Sequence, residues 1–206
     1  MAASSMPLKN EIVLDCHLSE EQVQQHAVVL ERARTGGPEN HPLSLINQLL
    51  LLTQHPRLVP SYNGADPAEL VSSCPKLARV LEELESIQGR REKSLVFARS
   101  IPMQQILREV FRWKFRLDVG IINGRSGADG EPNSSRNVRQ KTLERFRKSD
   151  GFDILILSPE VAGLGLTIVE ANHVFHYGRW WNPAKELQAT DRAYRIGQEK
   201  EVFVYY

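Results

Sequence analysis

Residues 180 to 198 read WWNPAKELQATDRAYRIGQ, the stretch of this chain richest in side chains that could do chemistry. Asn182 suits a helix N-cap and Pro183 a first helical position, so the pattern predicts a helix over Ala184–Arg195 that stops at Gly197. At spacings of three and four, Gln188, Asp191, Arg192 and Arg195 then share one face. Neighbours at such spacings have Cβ atoms roughly 5–6 Å apart, and like charges there repel by a few tenths of a kcal/mol. Two uses are open. Asp191 neutralises Arg195 at i,i+4, or Arg192 and Arg195 project toward an anion with several oxygens, which arginine forks fit. For Trp180 and Trp181 taken alone, packing is a simpler use than base stacking.

A second stretch, DILILSPEVAGLGLT, runs from a strand into a turn and then a helix. Gly163 and Gly165 let another backbone come close, and N–H groups at a helix start favour an anion. A tight strand-to-helix turn would use the same glycines. His173 and His176 are three apart, but on a strand they face opposite sides, so they read as packing residues and no metal site is expected. The two cysteines, Cys16 and Cys74, are far apart, which excludes a disulfide framework or a zinc pattern and fits a reducing compartment. No G-x-x-x-x-G-K-[ST], G-x-G-x-x-G or G-x-S-x-G occurs. A self-contained nucleotide hydrolase needs a phosphate cradle, a lysine and an acid for magnesium, and there is no candidate cradle. No nucleophile and base stand together as a small-molecule enzyme would require.

The elements that must position these residues alternate. From Cys74 onward, PKLARVLEELESI is an amphipathic helix with Pro75 at its first position, KSLVFA a buried strand and PMQQILREVFRWK a helix. LDVGII is a strand, RNVRQKTLERFRK a helix, and FDILILS, HVFHYG and EVFVYY are strands. Short apolar strands between longer helices predict an α/β fold, a parallel sheet with crossover helices. Residues 123 to 136, NGRSGADGEPNSSR, have almost nothing to bury and are expected as an exposed loop. Ahead of this part lies a lead-in: one strand around Glu11–Cys16, a helix capped by Ser19 with Gln22 as capping-box partner, an apolar helix LSLINQLLLLTQH and a Pro- and Gly-punctuated connector. The expected division is a lead-in at 1–73 and a lobe at 74–206.

The 206 residues are 41% apolar and 25% charged with a net charge of +1, an ordinary globular composition. Any basic surface must therefore be local. No apolar run has the length of a membrane span, and MAASSMPLKNE lacks a signal-peptide apolar region. The chain stops on EVFVYY, a strand with nothing after it, and reads as a fragment of a longer protein truncated at 206.

WWNPAKELQATDRAYRIGQEKEVFVYY resembles the last motif of the Swi/Snf family of helicase-like ATPases in superfamily 2, whose usual form is W-W-N-P followed by Q-x-x-D-R-A-x-R-x-G-Q. KSLVFARS resembles its motif IV and ILSPEVAGLGLTIVEANHV its motif V, in the family's order, over about Cys74 to Tyr206. KNEIVLDCHLSEEQ and INQLLLLTQHP resemble the lead-in segments less distinctively. Ala162 and Thr167 depart from the family's A-G-G-L-G-L-N-L, and Gly178 and Arg179 stand where aspartate and proline are common. The arginine pair is untouched.

The resemblance implies a RecA-like lobe of the P-loop NTPase type, the second lobe of a helicase motor. It implies ATP bound between two lobes, with magnesium and the phosphate loop supplied by an N-terminal lobe of the same protein. Arg192 and Arg195 would be arginine fingers toward the γ-phosphate, with Gln188, Asp191, Gly163 and Gly165 supporting the cleft. Trp180, Trp181, Asn182 and Pro183 would be structural. Double-stranded DNA would be the partner, held by its phosphates, with Thr167, Arg99, Ser100, Arg125 and Arg136 as contacts. The function implied is the motor lobe of an ATP-dependent double-stranded DNA translocase, inactive alone and binding no cofactor stably by itself. The alternative is a non-catalytic RecA-like module that binds DNA or protein. Either would act inside a cell, in the cytoplasm of a prokaryote or the nucleus of a eukaryote, away from membranes.

Overall fold

The computed structural model of the chain describes residues 6–37, 40–59, 61–124, 132–160, 166–180 and 182–206, with backbone alone for 132–136. Its strands are β1 (Lys9–Ile12), β2 (Lys93–Phe97), β3 (Gly120–Ile122), β4 (Asp153–Leu157), β5 (His173–His176) and β6 (Val202–Tyr205). Its helices are α1 (Glu20–Thr35), α2 (Pro42–Leu52), α3 (Pro67–Ser73), α4 (Pro75–Arg90), α5 (Ile101–Phe115), α6 (Pro132–Lys148) and α7 (Pro183–Thr190). They form two compact units: Met1–Leu14 with Leu84–Tyr206, and Asp15–Glu83.

The larger unit is an α/β lobe of RecA-like type around one six-stranded sheet in the order β1-β6-β5-β2-β4-β3, parallel at every pairing. Every residue of β2, β4 and β5 is buried, as strands covered on both faces must be. Parallel neighbours need crossovers. α5 carries the chain from β2 out to the β3 edge and α6 carries it back to β4. Right-handed crossovers in opposite directions put these helices on opposite faces. On the α6 face, Leu95, Phe97, Leu155, Leu157, Val174, Val202 and Val204 pack with Leu143 and Phe146 of α6 and Ala189 of α7. Phe146 is fully buried there, and truncating it to alanine should cost roughly 3–5 kcal/mol.

Two local expectations shift. The lead-in strand lies at Lys9–Ile12 instead of around Glu11–Cys16, because its register follows β6, with Lys9 opposite Val202 and Ile12 opposite Tyr205. Beyond it only the Leu14 N–H still pairs, with the Tyr206 carbonyl at 2.9 Å. The stretch expected as a loop over 123–136 contains the start of α6 at Pro132; 125–131 lie outside the described residues.

The smaller unit is helical. Ser19 and Gln22 form the expected capping box, and the Gln22 amide donates to the Leu52 carbonyl at 2.6 Å. Val29, Leu45 and Leu52 make a small core. The connector also carries a 3-10 turn at Pro56–Leu58 and the short α3, capped by Asp66 with Pro67 at its start. His55 is buried with Nε2 3.0 Å from the Leu70 carbonyl, while Nδ1 accepts the Arg57 N–H at 3.0 Å. Burial pushes its pKa down to about 4, so the ring is neutral.

Candidate functional site

The strands β2, β4 and β5 end side by side, and the loops leaving those ends carry the motif residues. Such C-terminal strand edges are where open parallel sheets place ligands. At the end of β5, Glu186 of α7 organises the loop. Its carboxylate, almost fully buried, accepts the Trp180 N–H at 2.7 Å and meets the Arg179 guanidinium at 3.0 Å. That guanidinium lies 4.3 Å over the Tyr206 ring. Trp180 packs on the core and meets the His176 ring edge-on at 6.1 Å. Asn182 caps α7 by accepting the Ala184 N–H at 3.0 Å, with Pro183 at the first position. Trp181 lies outside the described residues.

His176 Nε2 stands 3.0 Å from the Thr190 hydroxyl, and the ring stacks on Phe97 and Tyr206. Burial, with Arg179 nearby, pushes its pKa down to about 4. His173 faces the other side of the sheet. Its Nδ1 lies 3.1 Å from the Tyr205 hydroxyl and its Nε2 2.8 Å from Glu92. Burial lowers the His173 pKa against the pull of Glu92, so the Glu92 contact is a hydrogen bond from a neutral ring. Both histidines are packing residues, and among the described residues no group of three or more His, Cys, Asp or Glu could hold a metal ion.

α7 is shorter than the sequence pattern predicts. It ends at Thr190, with Asp191 as C-cap, so Asp191, Arg192 and Arg195 lie in or beyond the turn that follows the helix instead of on it. The reason is tertiary. The Arg192 carbonyl accepts the Ile168 N–H at 2.8 Å, and the Gln198 amide reaches the carbonyls of Val169 (3.0 Å), Ala171 (3.0 Å) and Ala193 (3.1 Å). Gly197, at φ 101°, makes the turn that returns Gln198 to this position. Neither Glu186 nor Gln198 is marked as a site residue by spacing; the signal for Gln198 was its place just past the expected helix stop.

The two arginines differ. Arg192 is 9% exposed; its Nη1 donates to the Leu166 carbonyl at 3.3 Å, and its buried Nε has no partner. Burial lowers its pKa and Arg195 adds to this, yet it remains a guanidinium cation. Arg195, Asp191 and Gln188 are exposed, and among the described residues their side chains make no hydrogen bond or ion pair. The Asp191–Arg195 pair that spacing allowed is therefore not formed. Arg192, with a free N–H in a low-dielectric setting, is suited to an anionic oxygen.

At the end of β2, Arg99 is exposed, while the Ser100 hydroxyl accepts the Met103 N–H at 3.1 Å as the N-cap of α5. At the end of β4, Ser158 is buried with its hydroxyl unpartnered. Thr167 is half-buried, and its carbonyl accepts a hydrogen bond from Arg147 of α6, which also pairs with Glu170 at 3.4 Å. Gly163, Gly165 and Arg125 lie outside the described residues, as does the side chain of Arg136.

The model of the helicase conserved C-terminal domain matches residues 75–197. The chain belongs to this family. The Bacillus subtilis (strain 168) putative ATP-dependent helicase/translocase YwqA is 37% identical over 164 residues, 79% of this chain and 16% of its own length. The Zorya protein ZorD of Escherichia coli O139:H28 (strain E24377A / ETEC) is 34% identical over 200 residues, 97% of this chain and 17% of its own length. The Sulfolobus solfataricus SWI2/SNF2 ATPase core, solved in complex with double-stranded DNA, superposes with a TM-score of 0.74 at 26% identity, covering 96% of this chain and 40% of that one. Within the helicase C-terminal family the chain thus sides with the SWI2/SNF2 ATPases. It spans about a sixth of the length of the curated relatives it matches. No described helix is long and apolar enough to cross a membrane.

Proposed function

We propose that this chain is the C-terminal motor lobe of an ATP-dependent double-stranded DNA translocase, and that it supplies Arg192 and Arg195 to an ATP site completed by an N-terminal lobe. The observation that carries the proposal is Arg192. Inside the D-R-A-Y-R-I-G-Q run it is nine-tenths buried with its Nε N–H unpartnered. A desolvated arginine held by one carbonyl and left with a free donor is pre-organised for charge that develops on a phosphoryl group. Arg195, exposed and unpaired, is the second fork, able to reach an anion on the open side of the same turn. Gln188 and Asp191 flank them on the exposed side, and Gly163 and Gly165 belong to the loop that would face the same cleft.

The residues present fit the phosphate end of ATP from one side only. Magnesium would neutralise charge on the phosphates when bound, and its ligands belong to the other lobe, since this chain has no acidic box. Glu186, Asn182, Pro183 and Trp180 hold the entry to α7, and Gln198 fixes the turn that carries the arginines. Arg99, Thr167, Arg125 and Arg136 are the proposed contacts to DNA phosphates, in keeping with the duplex bound by the Sulfolobus relative. Ser100 acts there through its cap on α5. The chain by itself, with half a cleft, is expected to turn over no ATP.

The test is ATP hydrolysis by the full-length protein, with and without duplex DNA, beside the 206-residue chain alone. DNA-stimulated turnover by the whole and none by the chain supports the reading. No turnover by either makes this a non-catalytic binding module. Magnesium-dependent turnover by the chain alone that survives Arg195→Ala sinks it.

A further inference from the structure

We infer that the outer face of α5 is a docking surface for an acidic helical segment of a protein partner. This goes beyond the motor reading and does not depend on it. α5 turns Met103, Ile106, Leu107, Val110 and Phe111 inward, all fully buried. Its opposite face carries Arg108 and Arg112, continued by Arg116 at its C-cap, all exposed. At four-residue spacing such groups step about 6 Å along a helix axis.

Among the described residues, none forms an ion pair with these three arginines. Arginines and lysines nearby are treated differently: Lys114 pairs with Glu85, Arg145 with Asp118 and Arg147 with Glu170. The carboxylate on the same face, Glu109, already has an interaction of its own. Arg116 sits in the left-handed region at φ 55°, where glycine or asparagine would be cheaper. Beside the stripe stands Trp113, a large apolar side chain left 50% exposed.

Arginine and tryptophan together are the make-up of protein-binding hot spots. An acidic helix with carboxylates at every fourth position advances by the same axial step, so each could take a guanidinium fork while an apolar neighbour covers Trp113. Duplex phosphates would use the charge and leave Trp113 without a role, and base stacking needs a single strand. α5 runs from the C-terminal end of β2 to the N-terminal end of β3, so Arg116 lies toward the sheet edge opposite the one that carries Arg192. A partner held there leaves the proposed ATP and DNA edge open.

The experiment uses the 206-residue chain and a labelled helical peptide of about five turns, with Glu at every fourth position and Leu beside them. A scrambled peptide of equal composition and a DNA duplex serve as competitors. The in-register peptide should bind at least about tenfold tighter than the scrambled one. Arg108→Glu with Arg112→Glu should abolish that preference, and a peptide with Lys in place of Glu should recover binding to this variant. Trp113→Ala should weaken binding about fivefold or more. Circular dichroism checks that each variant stays folded. Equal binding of both peptides, no binding, or displacement by duplex DNA through the same arginines would each overturn the inference.

Discussion

The two ends of β5 handle charge in opposite ways. At the N-terminal end, His173 joins Glu92, and Glu92 also holds Lys200 at 3.2 Å and Arg90 at 3.4 Å. Burial pushes the Glu92 pKa up, but hydrogen bonds from His173 and Lys200 outweigh it and hold its carboxyl below the usual range. Close by, Lys93 caps α6 through the carbonyls of Phe146 (2.7 Å) and Arg147 (3.0 Å). At the C-terminal end, Arg179 has a carboxylate partner, Glu186. Arg99, Arg192 and Arg195 form no ion pair among the described residues. A closed network stabilises a fold; cations left without carboxylates along a strand-end crevice are available to a ligand. Under the proposed function, the difference would separate residues that serve folding from residues that serve binding.

The largest test of that contrast is Arg192→Ala in the full-length protein. The kcat of DNA-stimulated ATP hydrolysis should fall on the order of 10³-fold, about 4 kcal/mol, with DNA affinity changed far less. Arg192→Lys keeps the charge, loses the fork and should recover little. Strong loss of DNA binding with normal turnover would give this turn a different job.

Next in size is acid sensitivity. His176 titrates at about 4 in the fold, against 6.5 when exposed. Its neutral form is the folded one, so its contribution is full above pH 6.5 and is lost as pH falls toward 4, at most about 3 kcal/mol. Urea midpoints across this window should slope less for His176→Gln than for the wild type. An unchanged slope would mean that the ring is already protonated or solvated in the fold.

Glu92→Ala should come third. It strips the His173 ring and Lys200 of their acceptor and should cost about 2 kcal/mol in urea unfolding, while the full-length protein keeps its ATPase rate. A loss of activity without loss of stability would erase the proposed division between the two ends. The smallest effect belongs to Arg99→Ala, an exposed and unpaired side chain: stability within about 0.5 kcal/mol of wild type, with DNA binding weakened in a salt-dependent way.

Sequence alone determined the alternation of strands and helices from Pro75 onward, because short, β-branched apolar runs such as LVF and ILIL between longer amphipathic segments fit strands covered on both faces. It also determined the caps at Ser19, Asn182 and Pro183, since capping is a local interaction between neighbours in the chain. The W-W-N-P and D-R-A-Y-R-I-G-Q runs marked the candidate site before any coordinates. Tertiary structure decided what the helix pattern could not. It placed β1 against β6, a pairing between residues nearly two hundred apart that no local pattern encodes. It ended α7 at Thr190, because carbonyls past that point are engaged by Ile168 and Gln198 from elsewhere, and such contacts outweigh helix propensity. That early end moved both arginines off the helix. Residues expected on one helix face became one buried guanidinium and one exposed one, because burial is set by what packs against a turn and not by spacing along it.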